Sequence, residues 1–259
     1  MKDQFVIACI DDPLYAATTL EWARRLAESL RHKGLMALNV SNDENREGQA
    51  WLSTLGVPYV GLRGDWRTAL DGLPTAFGGI LAVTVFDPAA PRTSLANPST
   101  LLRRFAGCKI AYICVPQGMP YRLDTVTLAL NHRHEGKEKM VWASYLARFA
   151  GARLTFASPD YKDPLLRQHL QNNYQYADKI FSPSGISYQT VALPSSHRNE
   201  DLQLVGHVPS DLHIARTTDS REISPFDLLH RKPELTLMLR HHTPLLLLNP
   251  RDDLYILCD

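Results

Sequence analysis

The sequence predicts an α/β protein made of two tandem doubly wound domains, each a five-stranded parallel sheet flanked by helices. Two observations support this fold class. Short apolar runs alternate with helical patterns along the whole chain, which is typical of parallel strands joined by helical crossovers. The run at residues 5–10 and the helical pattern after it also recur 120 residues later, in the same order.

The duplication is clearest in the first strand and the helix that follows it. The corresponding segments are 5–10 with 125–130, Trp22-Ala23 with Trp142-Ala143, and Leu26-Ala27 with Leu146-Ala147. The apolar positions of each helix are spaced three or four residues apart, which places them on one helical face. They are Ala16, Leu20, Ala23, Ala27 and Leu30 in the first copy, and Gly136, Met140, Ala143, Ala147 and Ala150 in the second. We therefore predict two domains, residues 1–118 and 119–259.

In the first half, a continuous apolar run at 6–10 indicates a central strand that is covered on both faces. Asp12 and Pro13 mark the start of the first helix, and Gly34 marks its end. Pro58 indicates an edge strand. The predicted strands are 6–10, 35–40, 57–62, 80–85 and 109–115, and the predicted helices are 13–33, 49–55, 66–76 and 98–106.

The second half repeats this order after a linker at 116–122, which contains two prolines and a glycine. Its predicted strands are 124–130, 153–157, 186–193, 211–215 and 245–248, and its predicted helices are 137–150, 164–180, 200–205 and 234–239. The apolar run at 254–258 predicts one more strand. It could extend its own sheet, cross to the first half or pair with a second chain, because an exposed apolar edge invites pairing.

Composition excludes several classes of protein. The 28 basic and 27 acidic residues leave no electrostatic footprint for nucleic acid or an anionic membrane surface. No apolar run is long enough to span a bilayer, and the first residues lack a signal-peptide pattern. Cys9 and Cys114 lie inside apolar runs, as reduced and packed thiols do. We therefore expect a cytoplasmic protein without a nucleic-acid or membrane partner.

The predicted topology places a binding crevice at the carboxyl ends of the first and fourth strands, where the strand order reverses. The elements around it resemble the universal stress protein family, within the HUP superfold. The residues that carry the resemblance are Val6–Asp11, Trp22-Ala23, Leu26-Ala27, Leu38-Asn39-Val40 and Ser99–Pro116. The resemblance covers both halves of the chain and implies a tandem member of that family.

Nucleotide-binding members of that family carry a G-x2-G-x9-G-[ST] loop between the fourth strand and the last helix. Phosphates need close backbone approach and donated N–H groups, and glycine permits both. Here no glycine occurs between Gly79 and Gly107, and Gly206 is the last glycine of the chain. Pro98 and Pro233 lie near the expected turns and have no N–H to donate. The resemblance therefore implies a member without the ATP loop and without a cofactor.

What remains is a vestigial nucleotide site. The resemblance assigns it Asp11, Val40, Ser99 and Thr100. Asp11 corresponds to the acidic residue that lies near adenine and ribose in the family, and Ser99 and Thr100 correspond to the [ST] position. For Asp11, together with Asp12, helix capping is the preferred interpretation, and capping explains Ser99 and Thr100 as well as a nucleotide site does. Asn131 replaces Asp11 in the second half, which disfavours a paired site.

Histidines and carboxylates do not assemble into a catalytic or metal-binding pattern. His132 and His134 follow a strand as HxH, whereas related nucleotidyl transferases carry HxGH there. The pair His241-His242 ends a helix, where a cation favours the helix dipole. No histidine pair has a cysteine or carboxylate at ligand spacing, and no GxSxG elbow occurs. We expect neither a metal site nor an enzyme.

The leading hypothesis is a non-catalytic, stress-associated binding or regulatory protein that does not bind ATP. Its partner would be an unidentified protein or small ligand, and its halves would pack about a pseudo-two-fold axis in a monomer or a homodimer. A nucleotide-responsive switch, sensing ATP or AMP near Asp11 and Ser99, is the alternative. A third hypothesis is an enzyme that uses His132 and His134.

Overall fold

The computed structural model describes residues 4–31, 33–41, 46–132, 137–194, 207–217 and 233–249. For residues 46–49 it describes the backbone only. These residues group into two compact units. The first unit contains the described residues of 1–121 and 217–242 together with Asn249, and the second contains those of 122–216 and 243–248. The two domains predicted from the repeat, 1–118 and 119–259, stay a prediction.

The first unit is a parallel sheet in the order β3-β2-β1-β4-β5. Its strands are β1 (Phe5–Cys9), β2 (Gly34–Ser41), β3 (Tyr59–Arg63), β4 (Gly79–Phe86) and β5 (Ala111–Pro116). Its first three α-helices are α1 (Ala16–Ser29), α2 (Trp66–Ala76) and α3 (Pro98–Arg104). The predicted doubly wound topology is confirmed here, including an edge strand that begins just after Pro58.

The second unit repeats the same parallel order, as β10-β9-β6-β7-β8. Its strands are β6 (Thr125–Ala129), β7 (Arg153–Asp160), β8 (Tyr188–Pro194), β9 (Leu212–Arg216) and β10 (Leu245–Leu248), and its helices are α4 (Lys137–Ala150) and α5 (Pro164–Phe181). The helix α6 (Pro233–His241) packs against α3 within the first unit. The predicted helix 200–205 and strand 254–258 lie outside the described residues.

Local signals explain most element boundaries. Asp12 caps a single 3₁₀ turn at Pro13–Tyr15, and α1 continues from it. The helix ends four residues earlier than predicted, because Arg31 adopts the left-handed region with a φ of 64°. The segment predicted as a short helix is instead a 3₁₀ helix over Arg46–Leu55. Among the described helices, none is long and apolar enough to cross a membrane.

The cores of both units are built from the strands and the inner helix faces. In α1 the side chains of Trp22, Ala23 and Leu26 are fully buried, as the 3.6-residue periodicity predicts. The repeat counterparts of Ala23 and Leu26, Ala143 and Leu146 in α4, are fully buried too, whereas Trp142, the counterpart of Trp22, is half-buried. The centre of the apolar stripe, Ala23 in the first copy and Met140 with Ala143 in the second, therefore lies in the core.

The thiols of Cys9, Cys108 and Cys114 are free and buried, as expected for packed cysteines. Burial raises the pKa of Cys9 and Cys114 well above the usual range and that of Cys108 to about 12. Only the thiolate attacks disulfide reagents, so these groups should be inert at neutral pH.

We predict that a Cys258→Ser variant, which keeps these three thiols, reacts with Ellman's reagent only after unfolding. The measurement compares thiol release in native buffer with release in denaturant. Rapid release of even one equivalent under native conditions would contradict the packing described here.

Candidate functional site

The strand order reverses between β1 and β4, since β1 pairs with β2 on one side and with β4 on the other. The carboxyl ends of β1 and β4 lead into Asp11 and into the loop 87–97, respectively. Chains that follow two such strands meet at one edge of the sheet, where doubly wound proteins bind ligands. The predicted position of the crevice therefore agrees with the topology of the first unit.

The Asp11 carboxylate accepts two hydrogen bonds from this loop. One oxygen accepts the backbone N–H of Leu95, and the other accepts the Ser94 hydroxyl at 3.4 Å. Asp12, in contrast, caps the helix by accepting the N–H of Leu14 at 2.9 Å. Capping thus explains Asp12, whereas Asp11 joins the end of β1 to the segment that precedes α3.

Asp11 is half-buried, and this burial raises the pKa of its carboxyl group. The hydrogen bonds from Leu95 and Ser94 and the charge of Arg104 oppose that rise in part. The Arg104 guanidinium also donates to the carbonyl of Thr93 at 3.2 Å. One cation therefore supports both the loop and the carboxylate that holds it.

The N-terminus of α3 is closed by a side chain of the protein itself. Asn97 Oδ1 accepts the N–H of Ser99 at 3.2 Å and the N–H of Thr100 at 3.3 Å. The Thr100 hydroxyl is buried and donates to the carbonyl of Arg92 at 2.7 Å. Ser99 is exposed. The donors that a phosphate would use at a helix N-terminus are thus bound internally.

The loop also satisfies its own backbone. Asp87 N–H donates to Ala96 O at 2.8 Å, which closes the loop at its base. The Asp87 carboxylate accepts the N–H of Ala89 at 2.8 Å and the Tyr15 hydroxyl at 3.5 Å. Asn97 Nδ2 donates to Ala90 O at 2.9 Å. Side chains and backbone groups of the loop thus satisfy one another's hydrogen bonds.

Val40, the fourth candidate residue, is buried near the carboxyl end of β2 and pairs in register with Leu62. The hydrogen bonds between Asp11 and the loop do not involve it. Its neighbour Asn39 is buried and donates to Ile10 O at 2.8 Å, which ties the end of β2 to the end of β1.

Sequence reasoning missed the part played by Asp87, Ser94, Leu95 and Asn97. For Asn97 a signal exists, because asparagine directly before a proline is a typical start of a helix. For Asp87 a signal also exists, because aspartate side chains in turns commonly accept the backbone N–H two residues later, here that of Ala89. The backbone N–H of Leu95 has no sequence signature.

At the corresponding end of the second unit, the structure describes two contacts. The Asn131 carbonyl accepts the Asn173 side chain of α5 at 2.7 Å, and both residues are buried. His132 Nδ1 lies 2.7 Å from the Tyr161 hydroxyl, so that ring nitrogen faces a tyrosine rather than a second histidine. His134 lies outside the described residues. Within the described part of the chain, no group of three or more possible ligands could hold a metal ion.

No protein-family model matches this chain, and a search of curated proteins finds no match. Three solved structures are similar over nearly the whole chain. A candidate universal stress protein from Pseudomonas aeruginosa UCBPP-PA14 has 11% identity and a TM-score of 0.61, with 96% of this chain and 94% of that chain covered. A functionally unknown protein from Pseudomonas aeruginosa PAO1 has 12% identity and a TM-score of 0.58, covering 96% and 93%. A universal stress protein from Archaeoglobus fulgidus DSM 4304 has 10% identity and a TM-score of 0.58, covering 97% and 99%.

At these identities the likeness concerns the fold. It confirms the predicted α/β fold class, and the resemblance to universal stress proteins is confirmed at the level of the fold. The assignment of Asp11, Val40, Ser99 and Thr100 to a vestigial nucleotide site stays a prediction.

We predict that Asn97→Ala lowers the free energy of unfolding by about 1–2 kcal/mol, because it removes a helix cap and a bond to Ala90. Asp65→Ala is the matched control, since Asp65 caps α2 by accepting the N–H of Thr68 at 3.0 Å on an exposed surface. It should cost about 1 kcal/mol or less. Urea denaturation measures both, and a smaller loss for Asn97→Ala than for Asp65→Ala would contradict the role given to Asn97.

A second prediction concerns pH. Burial holds the pKa of Asp11 above its ordinary 3.8, so the folded protein binds this proton more tightly than the unfolded chain does. Lowering the pH through the folded pKa towards 3.8 should therefore raise the unfolding free energy of the wild type relative to Asp11→Asn. Denaturation at a series of pH values measures this difference. The prediction is contradicted if the unfolding free energy of the wild type, relative to that of Asp11→Asn, stays constant or decreases as the pH falls.

Proposed function

We propose that this chain is a non-catalytic, stress-associated binding or regulatory protein of the universal stress protein type, and that its first unit does not hold ATP. The fold shared with the Archaeoglobus fulgidus universal stress protein supports the first part of the proposal. The network of hydrogen bonds within the loop between β4 and α3 supports the second part. The proposal depends on this observation.

A phosphate at this edge would need the N–H groups of Leu95, Ser99 or Thr100. Each of these groups already donates to a side chain of the protein, and Pro98 has no N–H to offer. A phosphate would therefore have to break internal hydrogen bonds to the half-buried side chains of Asp11 and Asn97, at about 0.5–1.5 kcal/mol for each bond.

Electrostatics disfavours a phosphate in the same place. Asp11 and Asp87 put carboxylates at the carboxyl ends of β1 and β4, and both carboxylates accept hydrogen bonds from the loop. Arg104, whose charge acts on Asp11, donates a hydrogen bond to a loop carbonyl. A polyanion at this edge would therefore lie near two like charges.

The binding function that remains is recognition of a protein partner or of a small ligand other than ATP. Buried free thiols at Cys9, Cys108 and Cys114 are typical of proteins kept in a reducing compartment, which supports a cytoplasmic site of action. The bond between His132 and Tyr161 supports a structural role for that histidine rather than turnover.

A thermal-shift screen with ATP, ADP, AMP and cyclic nucleotides tests the proposal. We expect no reproducible rise in melting temperature, whereas a ligand at a hundred times its Kd would stabilise the protein by about 2.7 kcal/mol. Stabilisation by ATP that Asp11→Ala abolishes and Asp65→Ala retains would reject the proposal in favour of the nucleotide-responsive switch. Mass spectrometry of the protein purified without added ligand checks independently for a bound nucleotide.

A further inference from the structure

Helix α4 presents an aromatic face to solvent. This face consists of Val141, Trp142, Tyr145 and Phe149, and the exposed fractions of Val141 and Tyr145 are 42% and 49%. The rings form a continuous row, with centroids 6.2 Å apart for Trp142 and Tyr145 and 5.7 Å apart for Tyr145 and Phe149. Exposed rows of large apolar groups mark surfaces at which proteins associate.

The fold does not require this face to be apolar. In α1, the repeat counterpart of α4, the positions of the two exposed residues and of the phenylalanine hold Glu21, Arg25 and Ser29. Arg25 forms an exposed ion pair with Glu28 at 3.8 Å, so the outer surface of α1 is compatible with water. The apolar outer face is therefore specific to the second copy, and covering it with another apolar surface would be favourable.

Opposite charges border the aromatic face at its two ends. Glu138 lies in the first turn of α4 and Arg148 in the last turn. With a rise of about 1.5 Å per residue, they are about 15 Å apart along the helix axis. Glu138 precedes Trp142 by four residues, which places both on one face of the helix. The Arg148 guanidinium carbon lies 5.3 Å from the centroid of the Phe149 ring, at the other end of the face.

This order of groups makes the face complementary to a second copy of itself. When two copies of α4 pack in antiparallel directions about a two-fold axis, each contact occurs twice. Glu138 of one copy then lies opposite Arg148 of the second copy. Trp142 and Tyr145 lie opposite each other in the same arrangement, because the two pairs have nearly the same midpoint along the helix. A parallel arrangement would place like charges opposite one another, which is unfavourable.

We propose that the aromatic face of α4 is the interface of a homodimer, in which two copies of α4 pack antiparallel across a two-fold axis. The occupant of the face is a second copy of this chain, since the order of its charges matches the face itself. Tyrosine, tryptophan and arginine are the residues enriched among interface hot spots, and the face and its border contain all three. One helix face per copy is a small interface, so the dimer is a weak one that dissociates on dilution.

Sedimentation velocity of the full chain over a series of protein concentrations tests the proposal. We expect the wild type to change from monomer to dimer as the concentration rises. Tyr145→Asp should raise the dissociation constant of the dimer by about tenfold or more, because it puts a charge in the centre of the interface. Tyr59→Asp is the matched control, since Tyr59 is 47% exposed on the edge strand β3 and should not affect the dimer.

Exchange of the two border charges tests the antiparallel arrangement. Glu138→Arg and Arg148→Glu each place like charges opposite one another, so each alone should weaken the dimer. The double variant restores opposite charges at both ends and should recover the dimer. In a parallel arrangement the double variant would recover nothing, because identical residues would still face each other.

A wild-type chain that stays monomeric at every concentration would overturn the proposal. A dimer that Tyr145→Asp leaves intact would overturn it as well, because such a dimer would use another surface. No recovery in the double variant would overturn the antiparallel arrangement. Val141→Lys repeats the first test if Tyr145→Asp does not fold, and circular dichroism verifies that each variant retains its helices.

Discussion

The bond between Asp11 and the backbone of Leu95 is the constraint on which the candidate site depends. It joins the end of β1 to a loop that is 84 residues away in sequence, at the point where the strand order reverses. With the loop held there, Asn97 can close the N-terminus of α3, and Thr100 can bind back to Arg92. Crevice, loop and helix start thus form one hydrogen-bonded network, and this network uses the donors that would otherwise serve an anion.

The two units share a scaffold. Both units have the same parallel strand order, and both fully bury the corresponding pairs Ala23 with Leu26 and Ala143 with Leu146. At the end of the first strand of the first unit, the Asp11 carboxylate accepts hydrogen bonds from the loop that precedes α3. At the end of the first strand of the second unit, the Asn131 carbonyl accepts the side-chain amide of Asn173 in α5.

The sequence predicted what depends on local signals. Apolar runs revealed β1 and β6, and the Asp12-Pro13 pair marked the start of the first helix, because strand burial and capping are properties of neighbouring residues. Pro98 likewise predicted the start of α3, whereas the capping role of Asn97 was not predicted. The role of Asp11 could not be predicted from the sequence, because its partner is the backbone N–H of Leu95, which lies far along the chain. The hydrophobic periodicity could not predict the 3₁₀ geometry of Arg46–Leu55 either, because a short apolar pattern fits an α-helix and a 3₁₀ helix equally well.

The central claim is that the donors of the β4–α3 loop are already bound within the protein. A two-dimensional NMR titration of the labelled protein with magnesium and ATP tests it at the atoms concerned. The account predicts that the amide resonances of Leu95, Ser99 and Thr100 stay in place throughout the titration. Saturable movement of these three resonances together would show that a phosphate takes the donors, and would contradict the account.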